Sequence, residues 1–288
     1  MPEISNAQID KLINSLNEIR NFLESIKTKE VARQGIALSA NKYKKLIYRS
    51  VWPKAVPDYH LVIDSDQERS QRASRMLDQL VDLPLKDKNV LVFHCGPGDL
   101  AYAASKITNA VGYNPQSLGW SRFPANHNLK FTTDFDEATS LSPYDVIIHD
   151  SLEYSQSPID RLVMASHLLS DKGRIYLRCH PWSSRHGMDN LRVFNKAFAH
   201  LYLTDLELKE MGITSLPTQR VINPETYREW ITAAGLMIRR ARNITQSVEN
   251  VFRGSIMSPV LKDLYTTTEF PEDMLKICYI DYILETPQ

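Results

Sequence analysis

What this chain of 288 residues lacks bounds it first. Cysteine is scarce: Cys95, Cys179 and Cys278 sit in or beside apolar runs with no paired spacing. That speaks against a disulfide framework or a cysteine-built zinc site, and for buried thiols in a reducing, cytoplasmic setting. Long apolar runs are absent as well. No stretch approaches the ~18 residues of a membrane span, so no membrane partner is expected. The opening residues are polar and amphipathic, and no secretory leader is expected there. Excess charge of one sign is missing: 34 basic residues balance 34 acidic ones. By itself that balance argues for no nucleic-acid partner.

The charge is unevenly placed, however. From Lys27 to Lys54 stand eight Lys or Arg residues, Lys42, Lys44 and Lys45 among them, against one acid, Glu30. Tyr43, Tyr48 and Trp52 lie between them. Cations neutralise phosphates and aromatic faces stack on bases. The plainer alternative is a solvated helix whose aromatics pack on the main domain. Upstream, Ile9, Leu12, Leu16, Ile19, Leu23 and Ile26 form a narrow helical seam, which Asn6 can cap. A helix over 6–27 is too short to stand alone in water. It is therefore expected to dock on its own domain or on a second copy. Residues 1–60 read as a helical extension and 61–288 as the main domain, with the proline-marked "WPKAVPDYH" as the link.

After a helix expected over 66–81, apolar runs and helical patterns alternate. "NVLVF" leads into a turn holding Gly96, Pro97 and Gly98; "NAVGYNP" follows, then "LKFTTD", "YDVIIHD" and "GRIYLRCHP". "SPIDRLVMASHLLSDKG" reads as a helix between the fourth and fifth runs. "NPETYREWITAAGLMI" opens with a cap at Asn223 and Pro224 at its first position, and a strand comes after it. "LKICYIDYILE" reads as a closing strand. The alternation predicts an α/β chain: a Rossmann-like, mostly parallel seven-stranded sheet with helices on both faces and a hairpin-like end.

In "VLVFHCGPGDL", "AVGYNP", "YDVIIHDSLEY" and "LLSDKGRIYLR", in that order, roughly residues 70–288 resemble the class I S-adenosylmethionine-dependent methyltransferases. The resemblance implies S-adenosylmethionine as cofactor. It places the methionine part of the cofactor on the turn of His94, Gly96, Pro97 and Gly98, the ribose at Asn114, the adenine near Asp134 and the transferring methyl beside Asp150. Three positions depart from the family pattern. His94 stands for its first glycine, Val92 for a frequent acid and Asn114 for the ribose-binding carboxylate. An amide lacks the charge-assisted strength of a carboxylate. The absent Cβ atoms of Gly96 and Gly98 are expected to let the backbone approach the ligand closely.

Asp150 is the candidate catalytic residue. "RCHPWSSRHG" follows the fifth strand, and its Arg178, His180, Trp182, Arg185 and His186 are expected to line a substrate loop. Arginine suits phosphate, histidine proton transfer and tryptophan stacking. Ribose methyltransferases of this class use a Lys, Asp, Lys, Glu tetrad. Asp150 fits its aspartate, Arg178 stands near the second lysine, and Lys44, Lys45 and Lys54 are candidates for the first. No final glutamate is assigned. His94, His149 and His180 end neighbouring strands, but spacing alone makes no metal site, and none is assigned. The resulting expectation is a methyltransferase acting on RNA, at a ribose 2′-hydroxyl or a cap. A small-molecule methyltransferase and a catalytically silent binding domain are the alternatives.

Overall fold

The computed structural model describes residues 47–50, 52–55, 66–80, 83–150, 152–185, 187, 195–213, 216–246 and 272–287. The 6–27 seam, Lys42, Lys44, Lys45, His186 and the junction at residue 60 lie outside the described residues.

A helix, α1 (Asp66–Asp78), precedes the sheet. Then come β1 (Asn89–Phe93), α2 (Asp99–Ser105), β2 (Asn109–Tyr113), β3 (Leu129–Thr132), α3 (Phe135–Ser140), β4 (Tyr144–Asp150), α4 (Pro158–His167) and β5 (Leu169–Cys179). The chain continues through α5 (Asp205–Glu210), α6 (Pro224–Ala233), β6 (Met237–Thr245), α7 (Glu272–Lys276) and β7 (Ile277–Glu285). The seven strands form one sheet in the order β3-β2-β1-β4-β5-β7-β6. β1 to β5 pair in parallel, and β7 runs antiparallel between β5 and β6. The expected α/β architecture is therefore present, Rossmann-like and mostly parallel. Its late strands form an antiparallel pair.

β1 and β4 are continuous apolar runs because both faces of a central parallel strand are covered. Alternate residues divide between two cores. Leu91, Phe93, Ile147 and Leu177 pack with Leu162 and Ala165 of α4 and Tyr227 and Ile231 of α6. Val90, Val92, Ile148 and Tyr176 pack against Leu77 of α1 and Ala101 and Ala104 of α2. A third cluster joins Ile47, Trp52 and Ala55 to Trp182, Phe198 and Tyr202. There the Trp52 indole N–H donates to the Ala197 carbonyl at 2.8 Å. Trp52, whose setting among cations suggested base stacking, is 1% exposed and belongs to this core.

Boundaries shift where side chains compete for backbone groups. The third strand ends at Thr132 rather than Asp134, because the Asp134 carboxylate accepts the Asp136 N–H at 2.9 Å and caps α3. β5 starts at Leu169, which pairs with Tyr144. Its ladder resumes at Val146 and Arg174 after an irregularity, so "LSDK" joins the strand instead of ending the helix. Leu275 and Lys276 close α7, and the last strand starts at Ile277.

Where parallel β5 meets antiparallel β7, Arg178 lies opposite Asp281. Its Nε and Nη2 donate to the two carboxylate oxygens at 2.8 and 3.0 Å. Nη2 also reaches Gln79, just after α1, and the Tyr176 hydroxyl, each at 2.7 Å. The guanidinium stacks on Tyr279, 4.1 Å from the ring centre. Burial would raise the Asp281 carboxyl, but the bonds from Arg178, Tyr176 and Arg242 outweigh it and hold the group below its ordinary range. Removing one partner of such a pair strands a buried charge, at about 3–5 kcal/mol. Asp281→Ala should lower the free energy of unfolding by that amount in urea titrations. The double variant Arg178→Met with Asp281→Leu should recover much of the loss.

Candidate functional site

Because the first five strands run in parallel, their carboxyl ends share one edge, and the turn after β1 opens there. Phe93 is in register with Tyr113 on one side and His149 on the other, and Asp150 with Arg178. The turn is left-handed at three points, with φ of 57° at His94, 52° at Gly96 and 90° at Gly98. Histidine is among the few side chains that tolerate this region, which is how it replaces a glycine. The Cys95 N–H donates to the Tyr113 carbonyl and the Gly98 N–H to the Cys95 carbonyl, tying the turn to β2 and closing it.

The two glycines serve different ends. A Cβ on Gly98 would lie 2.8 Å from the Phe131 ring and 3.0 Å from Phe123, so aromatic packing by itself requires glycine there. A Cβ on Gly96 would meet nothing within 4 Å, so this is the glycine that faces open space. The rings beside Gly98 form a continuous stack. Trp120 and Phe131 lie 4.8 Å apart, Phe131 and Phe123 5.6 Å, and Phe123 and Tyr102 4.7 Å. From this stack the Trp120 indole donates to the Gly96 carbonyl at 2.9 Å, and Arg122 donates to the Pro97 carbonyl at 3.0 Å. Arg122 also pairs with Asp99 at 2.6 Å. None of these braces was singled out in the sequence, because "GWSRF" carries no motif and its role depends on β2–β3 folding back over the turn.

His94 packs among rings, 4.7 Å from Phe93, 5.6 Å from Tyr113 and 5.8 Å from His149. Burial drives both imidazoles down, to about 3 in each case, and the Arg161 charge presses the same way. Both are therefore neutral at neutral pH. His149 is fully buried and its Nε2 has no hydrogen-bond partner. Arg161, on α4, is half-buried and has no carboxylate partner among the described residues. Asn114 donates to the Gln116 carbonyl at 2.7 Å, which leaves its side-chain oxygen for a ligand. Asp134 is exposed at the start of α3.

Asp150 and its neighbour His149 point to opposite sides of β4, as strand alternation requires. Oδ1 of Asp150 lacks a hydrogen-bond partner and lies 3.7 Å from His180 Nδ1. The same nitrogen is 3.1 Å from Oε1 of Glu153, a buried carboxyl that burial pushes up and His180 pulls back. Glu153 thus orients His180 against Asp150. It lies only three residues beyond the aspartate, yet its inward turn comes from the single 3-10 turn of 152–154.

The segment after β5, expected to line a substrate loop, is largely buried. Trp182 is 6% exposed and lies edge-on to His200 at 4.7 Å, and Arg220 covers its ring at 4.9 Å. Arg178 is engaged by Asp281, as described above. Arg185 is half-buried, its Nε without a partner, and burial lowers its pKa. Of the expected substrate residues that are described, His180 is the one whose side chain comes within 4 Å of the Asp150 carboxylate. Among the described residues no group of three His, Cys, Asp or Glu side chains is arranged to hold a metal, and no helix is long and apolar enough to cross a membrane.

A histidine buried neutral stabilises the fold fully above its ordinary value of 6.5, and that stability is lost as pH falls toward about 3. The parent's melting temperature should therefore drop through this window. His149→Leu should flatten the drop and, by removing an unpartnered polar atom, leave stability at pH 7 equal or higher.

No family model matches the chain, and no curated protein matches it. Solved structures with a similar fold include a Listeria monocytogenes protein proposed to be an S-adenosylmethionine dependent methyltransferase. The two share 14% identity at a TM-score of 0.49, over 76% of this chain and 99% of that one. A chain from the complex of the Haloferax volcanii Trm112 methyltransferase activator with its proposed methyltransferase gives 15% identity and a TM-score of 0.48, over 80% and 97% of the two chains. The plantazolicin methyltransferase BpumL, with a monoazolic desmethylPZN analog and SAH, gives 16% and 0.47, over 92% and 99%. At such identities the likeness concerns the fold alone.

Proposed function

We propose that the chain is an S-adenosylmethionine-dependent methyltransferase that acts on RNA. One observation carries the reading: the glycine turn, Asn114 and Asp150 end adjacent parallel strands on a single edge, with open space beside Gly96. The residues present fit the cofactor. Neutral His94 and His149 place no positive charge against a sulfonium, while Arg161 offers a cation to a carboxylate. The turn of His94, Gly96, Pro97 and Gly98, together with Asn114 and Asp134, would hold it. When bound, the cofactor supplies an electrophilic methyl group.

The chain's own residues then align the acceptor and take its proton. The partly exposed Asp150 carboxylate can accept that proton, and His180, fixed by Glu153, steadies its buried Oδ1 from behind. The RNA preference rests on the cations and aromatics between Lys27 and Lys54. A second reading, a silent binding domain, is favoured by the His94 imidazole lying among Phe93, Tyr113 and His149 where the family has a glycine.

Calorimetry with S-adenosylmethionine and S-adenosylhomocysteine tests the pair of readings. Binding is expected in the parent and should tighten in His94→Gly, which relieves a left-handed side chain and opens the turn. Asp150→Ala should retain the cofactor but lose about a hundredfold or more of labelled-methyl transfer to RNA. Absence of binding in both the parent and His94→Gly would establish the silent domain instead.

A further inference from the structure

We infer that Glu153 is a positioning residue for methyl transfer, required for turnover because it holds the His180 imidazole in one orientation against the Asp150 carboxylate. This role rests on the transferase reading above, and it assigns to a buried acid the geometry of the proton acceptor.

Two arms of the chain carry the pair. One is the 3-10 turn of Leu152–Tyr154, which follows Asp150 and turns Glu153 inward to 1% exposure. The other is the segment after β5, which begins at His180. Residues 218–222 strap the two arms together. The Gln219 N–H donates to the Glu153 carbonyl at 2.7 Å, and the Thr218 hydroxyl to the Tyr154 carbonyl at 2.9 Å. A few residues on, the Trp182 N–H donates to the Val221 carbonyl at 2.7 Å, and the Ser183 hydroxyl to the Ile222 carbonyl at 3.2 Å. The Tyr227 hydroxyl of α6 reaches the His180 carbonyl at 3.3 Å. One short segment thus ties the backbone on both sides of the imidazole. The 3.1 Å contact of Glu153 Oε1 with His180 Nδ1 is made within that frame.

Packing alone gives no reason for an acid here. Among the described residues the Glu153 carboxyl has His180 as its hydrogen-bond partner, and its Oε2 has none. Nearby stand the Cys179 thiol and the Tyr227 phenol, which burial first and the Glu153 charge second keep neutral. A buried carboxyl with an unpaired oxygen carries a cost that an apolar side chain of the same length avoids. What the acid supplies is orientation. An imidazole without a fixed partner can turn over about its Cβ–Cγ bond and exchange its nitrogen and carbon edges. The contact with Glu153 selects one ring orientation, whichever partner carries the proton, and puts Nδ1 3.7 Å from Asp150 Oδ1. That separation is too long for a hydrogen bond but short for an interaction between charges. The Asp150 side chain is 30% exposed although its Oδ1 is enclosed. The fixed imidazole therefore meets the inward oxygen and leaves the outward side of the carboxylate to the acceptor.

Glu153→Met in the full chain removes the acid at nearly constant length. Its melting temperature should equal or exceed the parent's. The kcat for labelled-methyl transfer to RNA should fall about tenfold or more, because small misplacements of a reacting group are costly. KM and the affinity for S-adenosylhomocysteine should not move. Glu153→Gln, which keeps an oxygen for Nδ1, should recover most of the rate. In a His180→Asn background Glu153→Met should cost nothing further, since its effect passes through the imidazole. Nitrogen-15 NMR of the histidine side chains adds a readout that needs no turnover. The His180 ring, identified by its loss in His180→Asn, should show one dominant tautomer in the parent and a mixture in Glu153→Met. Parent-like kcat in Glu153→Met, additive losses in the double variant or an unchanged His180 tautomer each overturn the inference while an active parent upholds the transferase reading. A Glu153→Met variant that melts far below the parent marks a structural acid and overturns it as well. A parent that transfers no methyl group sinks the transferase reading itself, and the role of Glu153 with it.

Discussion

Parallel pairing is the constraint on which the rest of the molecule depends. Since β1, β2 and β4 run the same way and are direct neighbours, Phe93, Tyr113 and His149 must end side by side. The turn after β1, Asn114 and Asp150 are thereby delivered to one edge. The antiparallel β7 breaks this rule once. It brings Asp281 up to Arg178 from the opposite direction, which lets a buried charge pair lock β5 and β7 to the turn after α1 beside Asp150.

Burial then decides what the delivered groups can do. Desolvation keeps His94 and His149 neutral and raises Glu153, whereas Asp281 stays charged because bonds from three side chains outweigh the same penalty. Buried polar atoms are nearly always paired in folded proteins. Three of the exceptions among the described residues lie close together at the carboxyl edge: His149 Nε2, Asp150 Oδ1 and Glu153 Oε2. Arg178, by contrast, is engaged by Asp281, Gln79 and Tyr176 together.

Much of the fold was legible because its signals are local. An apolar run followed by a glycine turn and a capped helix reads as one unit, and β1, β4 and α6 fall close to where the pattern put them. The segment from Arg178 to Arg185 was misjudged for an equally physical reason. Its mix of Arg, His, Trp and Ser is polar in composition, but α6 and the 195–203 region cover it, and composition carries no record of what folds over a segment. The packing demand on Gly98 was illegible in the same way: its missing side chain answers to Phe131, thirty-three residues away.

Periodicity, capping residues and turn chemistry act over a few residues, and by themselves they determined the α/β class, the strand count, the glycine turn and Asp150 as a strand-end acid. Contacts between distant segments decided the remainder. These include the union of His180 with Glu153, the burial that neutralises two histidines and the aromatic brace on Gly96. Each depends on distance through space and on local dielectric. Neither quantity exists for a chain until its strands have paired.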